Sequence, residues 1–263
     1  MLFRSILSST SGLETVSRTA VGYSLGYLWL VRNGGVDAQT GRRILLNKAG
    51  APVLYQYAPP TGQFQWSNPD GTQYKENNLA ATVTQAKDGV MYGNTIPRYY
   101  GGWDNTFRYK SFDLNVLLTY QFDFYVYYGT NAGLHDQRFW NNAKDVLTAW
   151  KKPGDVTTVP RPVYLDNISN GSGLPMSYNA FKGDFVKLKN ISLAYSVPAK
   201  VLNKVKVSSA RLFVSGQNLA IFTKYPGPDP EVSSNGNSNT GQGIDRNTIA
   251  NGRTITLGLN IGF

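Results

Sequence analysis

The sequence predicts an all-β fold, an antiparallel transmembrane β-barrel with long extracellular loops and one short loop helix. Aromatic residues make up 13% of the chain, and 27 glycines indicate many turns. Apolar and polar residues alternate over unusually long stretches, which is typical of strands with lipid on one face. No run of eighteen apolar residues occurs, so a membrane crossing has to use strands.

The strongest strand signal covers residues 112–128. One face of this predicted strand contains Phe112, Leu114, Val116, Leu118, Tyr120, Phe122, Phe124, Val126 and Tyr128. Asp113, Asn115 and Gln121 are among the polar residues of the other face. The segment is about seventeen residues long, whereas strands in globular sheets usually have about five or six. We therefore predict a single strand with its apolar face towards hydrocarbon, long enough to cross a bilayer at the tilt of a barrel strand and still protrude.

A second strand precedes this one and is predicted to pair with it through a tight turn at Lys110 and Ser111. Its apolar positions are Tyr99, Trp103, Phe107 and Tyr109. Arg108 falls on the opposite face, and a register slip by one residue would move this charge into lipid. The register of the hairpin is therefore well determined.

Later strands show two changes of phase. The apolar positions shift by one residue near Lys189 and Asn190, which predicts a β-bulge, and again near Asn218 and Leu219. Residues 254–263 alternate without a break. We predict that Phe263 lies at the periplasmic rim, where the last strand closes the barrel against the first.

The one helical pattern covers residues 136–150. The apolar residues that would share a helix face are Phe139, Trp140, Ala143, Val146, Leu147 and Trp150. The Lys-Lys-Pro-Gly segment at residues 151–154 is a helix stop. We predict a helix in a loop.

The connections between predicted strands alternate strictly between long and short. A long segment separates strands near residues 22–31 and 98–109, and the turn at Lys110 follows. The next connections are long at residues 129–183, short at 198–206 and long at 224–251. This order predicts short periplasmic turns and long extracellular loops.

The charge balance does not indicate a nucleic-acid partner. Lys and Arg number 26 against 16 Asp and Glu, a formal net charge of +10. The basic residues are scattered singly, apart from the pairs at residues 42–43 and 151–152, so no stripe follows a phosphate backbone. We predict no nucleic-acid binding.

Few residues suggest chemistry. Cysteine is absent, and the single histidine, His135, has no metal-spaced neighbours. The carboxylates are too dispersed to indicate the pair that a glycosidase needs. We predict no catalytic centre, metal or cofactor, and the alternative that Asp229, Glu231 and Asp245 bind calcium lacks the spacing of a known calcium loop.

Several segments together resemble one protein family. The segments GDFVKLKNISLAYSVP, VSSARLFVSGQNLAIFTKYPGPDPEVSS and GRTITLGLNIGF are similar to the C-terminal end of SusC/RagA-type TonB-dependent outer-membrane transporters. Three earlier segments fit in the same order: GYSLGYLWLVRNGGVDAQTG, GNTIPRYYGGWDNTFRYKSFDLNVLLTYQF and LTAWKKPGDVTTVPR. The resemblance covers most of residues 18–263. One departure is Lys182-Gly183-Asp184, where the family more often has an acidic residue, glycine and serine.

The resemblance implies a plugged barrel of 22 strands in the bacterial outer membrane that imports oligosaccharides or peptides. The implied partners are outer-membrane lipid, a SusD-like surface lipoprotein, and TonB, which would act through an N-terminal part that this chain lacks. Residues 18–263 would be the C-terminal part of the barrel. Residues 1–17 would be a poorly defined N-terminal remnant of the kind that a truncation leaves.

The candidate functional residues follow from the strand faces and the loops. The residues predicted to face the lumen or the substrate are Asp104, Arg108, Asp113, Gln121, Asp123, Arg211, Gln217 and Asn260. The loop aromatics that could stack on sugar rings are Trp66, Trp140 and Trp150. Each of these residues has a purely structural alternative, as a wall residue that pairs with its neighbours or as packing within a loop.

A soluble carbohydrate-binding β-sandwich is the alternative fold and function. Such a sandwich would have strands of about five to eight residues with polar outer faces. The long apolar rows of residues 112–128 argue against it.

Overall fold

A computed structural model of the chain describes residues 16–138, 141–203, 207–236 and 241–263, and most regular structure in them is strand. The strands are β1 Ser17–Arg18, β2 Tyr27–Leu30, β3 Arg32–Val36, β4 Arg43–Leu46, β5 Pro52–Ala58, β6 Gln63–Ser67, β7 Lys75–Glu76, β8 Leu79–Ala80, β9 Val90–Gly93, β10 Tyr99–Tyr109, β11 Phe112–Phe122, β12 Tyr125–Tyr128, β13 Ala180–Lys182, β14 Phe185–Ser196, β15 Ser209–Thr223, β16 Ile244–Asp245 and β17 Thr254–Gly262. The helices are α1 Gln85–Asp88, α2 Gly129–Leu134 and α3 Ala199–Leu202, with 3₁₀ turns at Lys144–Thr148 and Ser177–Asn179. Within the described residues, no helix has the length and apolar character needed to cross a membrane.

The described residues form two compact units. The long-strand unit comprises Pro97–Phe124, Lys182–Val232 and Thr248–Phe263, and the short-strand unit comprises the remaining described residues. The long-strand unit contains one five-stranded sheet in the order β10-β11-β14-β15-β17, in which every neighbouring pair is antiparallel. The short-strand unit contains four smaller sheets, including the four-stranded sheet β3-β4-β5-β6.

The predicted hairpin is confirmed. Strands β10 and β11 pair over their full length, from Tyr109 opposite Phe112 to Tyr99 opposite Phe122. The two-residue turn contains Lys110, which adopts a left-handed backbone with φ +54°. Primed hairpin turns need such positive φ values because their twist then matches that of the strands.

The five-stranded sheet has one continuous apolar face. Residues that are directly opposite each other in an antiparallel sheet lie on the same face, and the register therefore aligns the apolar rows of all five strands. Most of the large side chains of this face are exposed, and the others are half-buried. The large exposed ones include Trp103, Phe107, Phe112, Tyr120, Leu193, Leu212, Val214, Ile255, Leu257, Leu259 and Ile261.

Both predicted phase changes are confirmed. They lie at the same level of the sheet, on the neighbouring strands β14 and β15. The register between β11 and β14 shifts where Leu117 pairs with Asn190 and Leu118 with Leu188, which leaves Lys189 without an opposite residue. The register between β14 and β15 shifts at the same level, and Asn218 has φ +52°. The bulges restore the apolar phase beyond this point, because each adds one residue to the alternation.

The prediction of one unbroken strand over residues 112–128 is wrong. Strand β11 ends at Phe122, and Asp123 adopts a left-handed backbone with φ +60°. The amide of Asp123 donates to Asp184 Oδ1 at 2.8 Å, so it leaves the ladder for a side-chain acceptor. Phe124 and Val126 are buried. They therefore do not continue the exposed apolar face.

The predicted helix over residues 136–150 is also wrong for the described part of that range, and Phe139 and Trp140 lie outside the described residues. Only the 3₁₀ turn Lys144–Thr148 forms there, and helix α2 precedes it. Polar side chains compete for the backbone: Asp136 accepts from the Arg138 amide, and Asn142 donates to the carbonyls of Leu134 and Asp136. Such local bonds replace helical ones.

The strand predicted near residues 22–31 is much shorter and belongs to a different sheet. Strand β2 lies between β1 and β9 in the short-strand unit. Leu28 and Leu30 are fully buried there. The apolar pattern of this segment therefore reflects a protein core rather than a face of the long sheet.

The short-strand unit has its own core, with an arginine in it. Val31, Leu45, Val53, Tyr55 and Trp66 belong to one buried cluster. Arg43, which lies two residues before Leu45 in β4, is also fully buried.

The guanidinium of Arg43 is satisfied by the protein. It donates to the carbonyls of Ser169 (2.6 Å), Thr158 (3.1 Å) and Gly35 (3.3 Å) and to Asn33 Oδ1 (3.0 Å). The ring of Tyr178 lies 4.4 Å below it. Burial lowers the pKa of Arg43 to about 10, so the side chain remains charged at neutral pH.

We expect Arg43→Met to open β4 locally, because three carbonyls would lose their donor inside the core, at a cost of about 2–4 kcal/mol. Amide hydrogen exchange of Arg43–Leu46 in the detergent-solubilised protein measures this cost. The matched control is Arg42→Met, since Arg42 is only half-buried and its hydrogen bonds go to the side chains of Ser67 and Gln65 rather than to carbonyls of the core. Equal protection of β4 in the two variants would contradict the account of this core.

Candidate functional site

The polar face of the five-stranded sheet carries most of the candidate residues. Seven of the eight lie on it by register: Asp104, Arg108, Asp113, Gln121, Arg211, Gln217 and Asn260. Asp123 lies just beyond the end of β11 and pairs with Lys182 at 3.1 Å and Arg98 at 3.3 Å. That this face is the lumen or touches substrate stays a prediction.

A charged cluster crosses the sheet near the hairpin turn. Asp113 forms an ion pair with Arg108 at 3.4 Å on one side and with Arg211 at 3.2 Å on the other. Arg211 reaches across β14, where Ala194 is the residue opposite Asp113. A methyl side chain leaves room for this approach. The cluster has one acidic and two basic groups, so this end of the polar face carries positive charge.

A second row of polar contacts lies further along the same face. Asn115 Nδ2 donates to Asp104 Oδ1 at 2.7 Å and to Thr106 Oγ1 at 3.1 Å. Its Oδ1 accepts from Asn190 Nδ2 at 3.3 Å. The row joins β10, β11 and β14 through amide and hydroxyl groups, which can both donate and accept, and through the carboxylate of Asp104, which only accepts. Such a surface suits neutral polar ligands or ordered water.

The third feature of this face is a buried ion-pair cluster that the sequence did not predict. Lys187 is 2% exposed, and its ammonium contacts Asp229 Oδ2 at 2.8 Å and Glu231 Oε2 at 2.5 Å. Lys189 contacts Glu231 at 3.3 Å, and Asn251 donates to Asp229 Oδ2 at 3.5 Å. The cluster fixes the segment after β15 against the polar face of the sheet.

The sequence held only a weak signal for this cluster. Lys187 falls on the polar face of its strand, and Asp229 and Glu231 flank a proline in a loop. Nothing in the sequence joins the two segments, which lie about forty residues apart. The structure uses both carboxylates to neutralise lysines, and no group of three or more potential metal ligands occurs in the described residues.

Two of the three candidate tryptophans, Trp66 and Trp150, are buried in the short-strand unit. Trp150 is 8% exposed, and its Nε1 donates to the Ala38 carbonyl at 2.8 Å. Trp66 is 9% exposed and packs on Tyr55 with ring centroids 4.7 Å apart. Trp140 lies outside the described residues. Sugar stacking by these residues stays a prediction, and burial leaves little of either ring accessible.

An exposed aromatic residue lies close to Trp66. Phe64 is on the same face of β6, two residues earlier, and is 54% exposed. It lines a cavity of about 420 Å³ together with Trp66, Val83, Ile168 and Leu174. The alternation of residues in Gln63–Ser67 indicates that Phe64 and Trp66 lie side by side, because residues two apart in a strand share a face.

Phe263 follows the last residue of β17 and is almost fully exposed. Its predicted role in closing the barrel is not tested by contacts within this chain.

The sheet and its two unlike faces define part of a transmembrane antiparallel β-barrel.

Comparison with known proteins supports this fold class. No protein-family model matches the chain. It is 33% identical over 201 residues to TonB-dependent receptor P3 of Formosa agariphila, covering 75% of this chain and 19% of the relative. It is 30% identical over 199 residues to TonB-dependent receptor SusC of Bacteroides thetaiotaomicron, covering 74% of this chain and 18% of SusC.

A solved structure shows the same fold. The RagAB peptide importer in its closed-closed state superposes with a TM-score of 0.69 at 19% identity, over 95% of this chain and 24% of the matched chain. The chain belongs to the SusC/RagA-type TonB-dependent receptors and corresponds to a portion of their barrel. It spans about a fifth of the length of the relatives that it matches.

We expect Lys187→Met to release the segment after β15, because it leaves Asp229 buried without its cation, which costs about 3–5 kcal/mol. Hydrogen exchange at residues 225–232 should then rise strongly. Lys189→Met is the control, since Lys189 is partly exposed and contacts Glu231 alone.

The double variant Lys187→Met with Asp229→Asn tests the cause of that release. It should recover part of the lost protection, because it removes the unpaired charge. A double variant that exchanges faster than Lys187→Met alone would show that charge compensation is not what fixes the segment.

Proposed function

We propose that this chain is the barrel portion of an outer-membrane nutrient importer that takes up oligosaccharides or peptides. The single observation that carries the proposal is the sheet of five long antiparallel strands, with a continuous exposed apolar face and a polar opposite face. In a bilayer the apolar face lies against hydrocarbon, and the polar face lines the interior.

The chemistry of the polar face supports passage rather than catalysis. Its charged cluster and its amide row offer hydrogen-bonding groups that can bind a hydrophilic solute reversibly. The relatives are named as TonB-dependent receptors and not as enzymes. We infer that the work of the chain is binding and passage.

The partners follow from the relatives. SusC and the RagAB importer support a SusD-like surface lipoprotein as partner and energisation by TonB. RagAB is named as a peptide importer, which supports peptides as one substrate class. Purification of the whole protein from the outer membrane in mild detergent should co-purify the lipoprotein, and its loss should abolish growth on the imported nutrient.

The soluble β-sandwich is disfavoured by the same exposed face. A sandwich buries the apolar sides of its sheets against each other. The apolar side chains of β10 and β17 are instead exposed.

We expect Leu257→Lys to lower the stability of the protein in a bilayer by about 2–4 kcal/mol, because it puts a charge into lipid near the middle of β17. Leu257 is 74% exposed on the apolar face. The control is Thr256→Lys, since Thr256 is the adjacent exposed residue on the polar face. Urea-induced unfolding from lipid vesicles measures both.

Equal stability of the two variants, or a greater loss for Thr256→Lys, would overturn the assignment of the faces. Failure of the lipoprotein to co-purify would overturn the partner but not the faces.

A further inference from the structure

The short-strand unit contains a second cavity, away from the tryptophan residues. Its volume is about 610 Å³, within the range of sites that bind small molecules. One wall is helix α2, which contributes Gly129, Ala132 and Gly133. Because these residues have little or no side chain, the backbone of the helix borders the cavity directly. Leu134 adds apolar surface.

Arg246 supplies the charge of this cavity. It is exposed, and it forms no ion pair with any carboxylate in the described part of the chain. Its Nε lies 3.3 Å from the position that a Cβ on Gly129 would occupy, so the missing side chain lets the arginine lie against α2.

The backbone around Arg246 is held in place. The Arg246 amide donates to Ser234 Oγ at 2.6 Å, and the Asn247 amide donates to Thr130 Oγ1 at 2.7 Å. The segment that presents the guanidinium is therefore tied to α2, which favours a preorganised site.

The other charges of the cavity cancel. Asp136 is buried and receives a forked contact from Arg138, with Nε at 2.9 Å and Nη2 at 2.5 Å. Burial opposes ionisation of Asp136, but the hydrogen bonds from Arg138 outweigh it and hold the pKa of the carboxyl below its usual value. Asp136 is therefore an anion paired with a cation, and Arg246 leaves the lining with a net charge of +1.

We propose that this cavity is a binding site for a carboxylate-bearing ligand, with Arg246 as its anchor. The planar guanidinium matches a carboxylate through two parallel hydrogen bonds. A single positive charge suits a monoanion better than a dianionic phosphate. The side chains of Asn141, Ser172 and Asn247 also line the cavity and can bind hydroxyl or amide groups next to the carboxylate.

An acidic saccharide and an acidic peptide share this chemistry. The site goes beyond the proposed import function, and its ligand binding can be measured without any transport.

Two substitutions test the site in different ways. Arg246→Gln removes the charge and keeps hydrogen-bonding capacity. Gly133→Val fills the cavity, because a Cβ at Gly133 meets no protein atom within 4 Å and the new side chain therefore projects into open space. Gly252→Val is the matched control, since a Cβ there also meets nothing within 4 Å and Gly252 does not line the cavity.

The experiment is calorimetric titration of the detergent-solubilised whole protein with two monoanionic probes, which are a tetrasaccharide that contains one glucuronate and a capped tetrapeptide that contains one glutamate and three glutamines. Maltotetraose and a capped peptide of four glutamines are the neutral probes. We expect at least one acidic probe to bind, and to bind about ten- to hundredfold more weakly to Arg246→Gln. Gly133→Val should weaken it similarly, while Gly252→Val should not.

Which acidic probe binds distinguishes a saccharide from a peptide source. Neutral probes that bind as tightly as the acidic ones would overturn the proposal, as would unchanged binding of the acidic probe by both Arg246→Gln and Gly133→Val. Loss of import with this binding intact would count against the proposed function alone.

Discussion

The structure depends on one constraint. Each face of its antiparallel sheet must suit a different environment, one apolar and one polar. The apolar rows of β10, β11, β14, β15 and β17 form one continuous surface. Exposed to water, such a surface would cost about 25 cal/mol for each Å². Hydrocarbon removes that cost, and it also requires that backbone groups be paired within the sheet. The long ladder of this sheet meets that requirement, and β10 and β17 each retain an edge for a further strand of a barrel.

The polar face follows from the same constraint, because alternation places every second residue inside. Its features differ along the sheet, from the Arg108, Asp113 and Arg211 cluster to the buried pairing of Lys187. Lys187 is the most constrained of these residues, since a buried ammonium needs its carboxylates. It fixes the segment after β15 against the polar face of the sheet.

Sequence reasoning succeeded where the physical signal was local and periodic. The hairpin at Lys110, the bulge at Lys189 and the phase change at Asn218 each leave a mark on the alternation of apolar residues. The faces of the candidate residues followed from the same alternation.

It failed where periodicity continued through a change of environment. Phe122 and Phe124 have the same phase, but Phe124 is buried after the left-handed Asp123. An exposed apolar strand face and a buried core segment produce the same apolar pattern, so the sequence does not show where β11 ends. The helix predicted over residues 136–150 failed because Asp136 and Asn142 bond to the backbone, which composition does not reveal. Contacts between distant segments, such as Lys187 with Asp229, leave no sequence pattern.

The most direct test of the central claim is the solvent on each face of β11. The chain has no cysteine, so single spin-labelled cysteines can be placed at residues 114 to 119 of the protein in lipid vesicles. The account predicts collisions with oxygen at Leu114, Val116 and Leu118, and with a water-soluble nickel complex at Asn115 and Leu117, whereas Thr119 lies opposite the buried Lys187 and is protected from both. Accessibility without a two-residue period, or the opposite assignment of the faces, would contradict it.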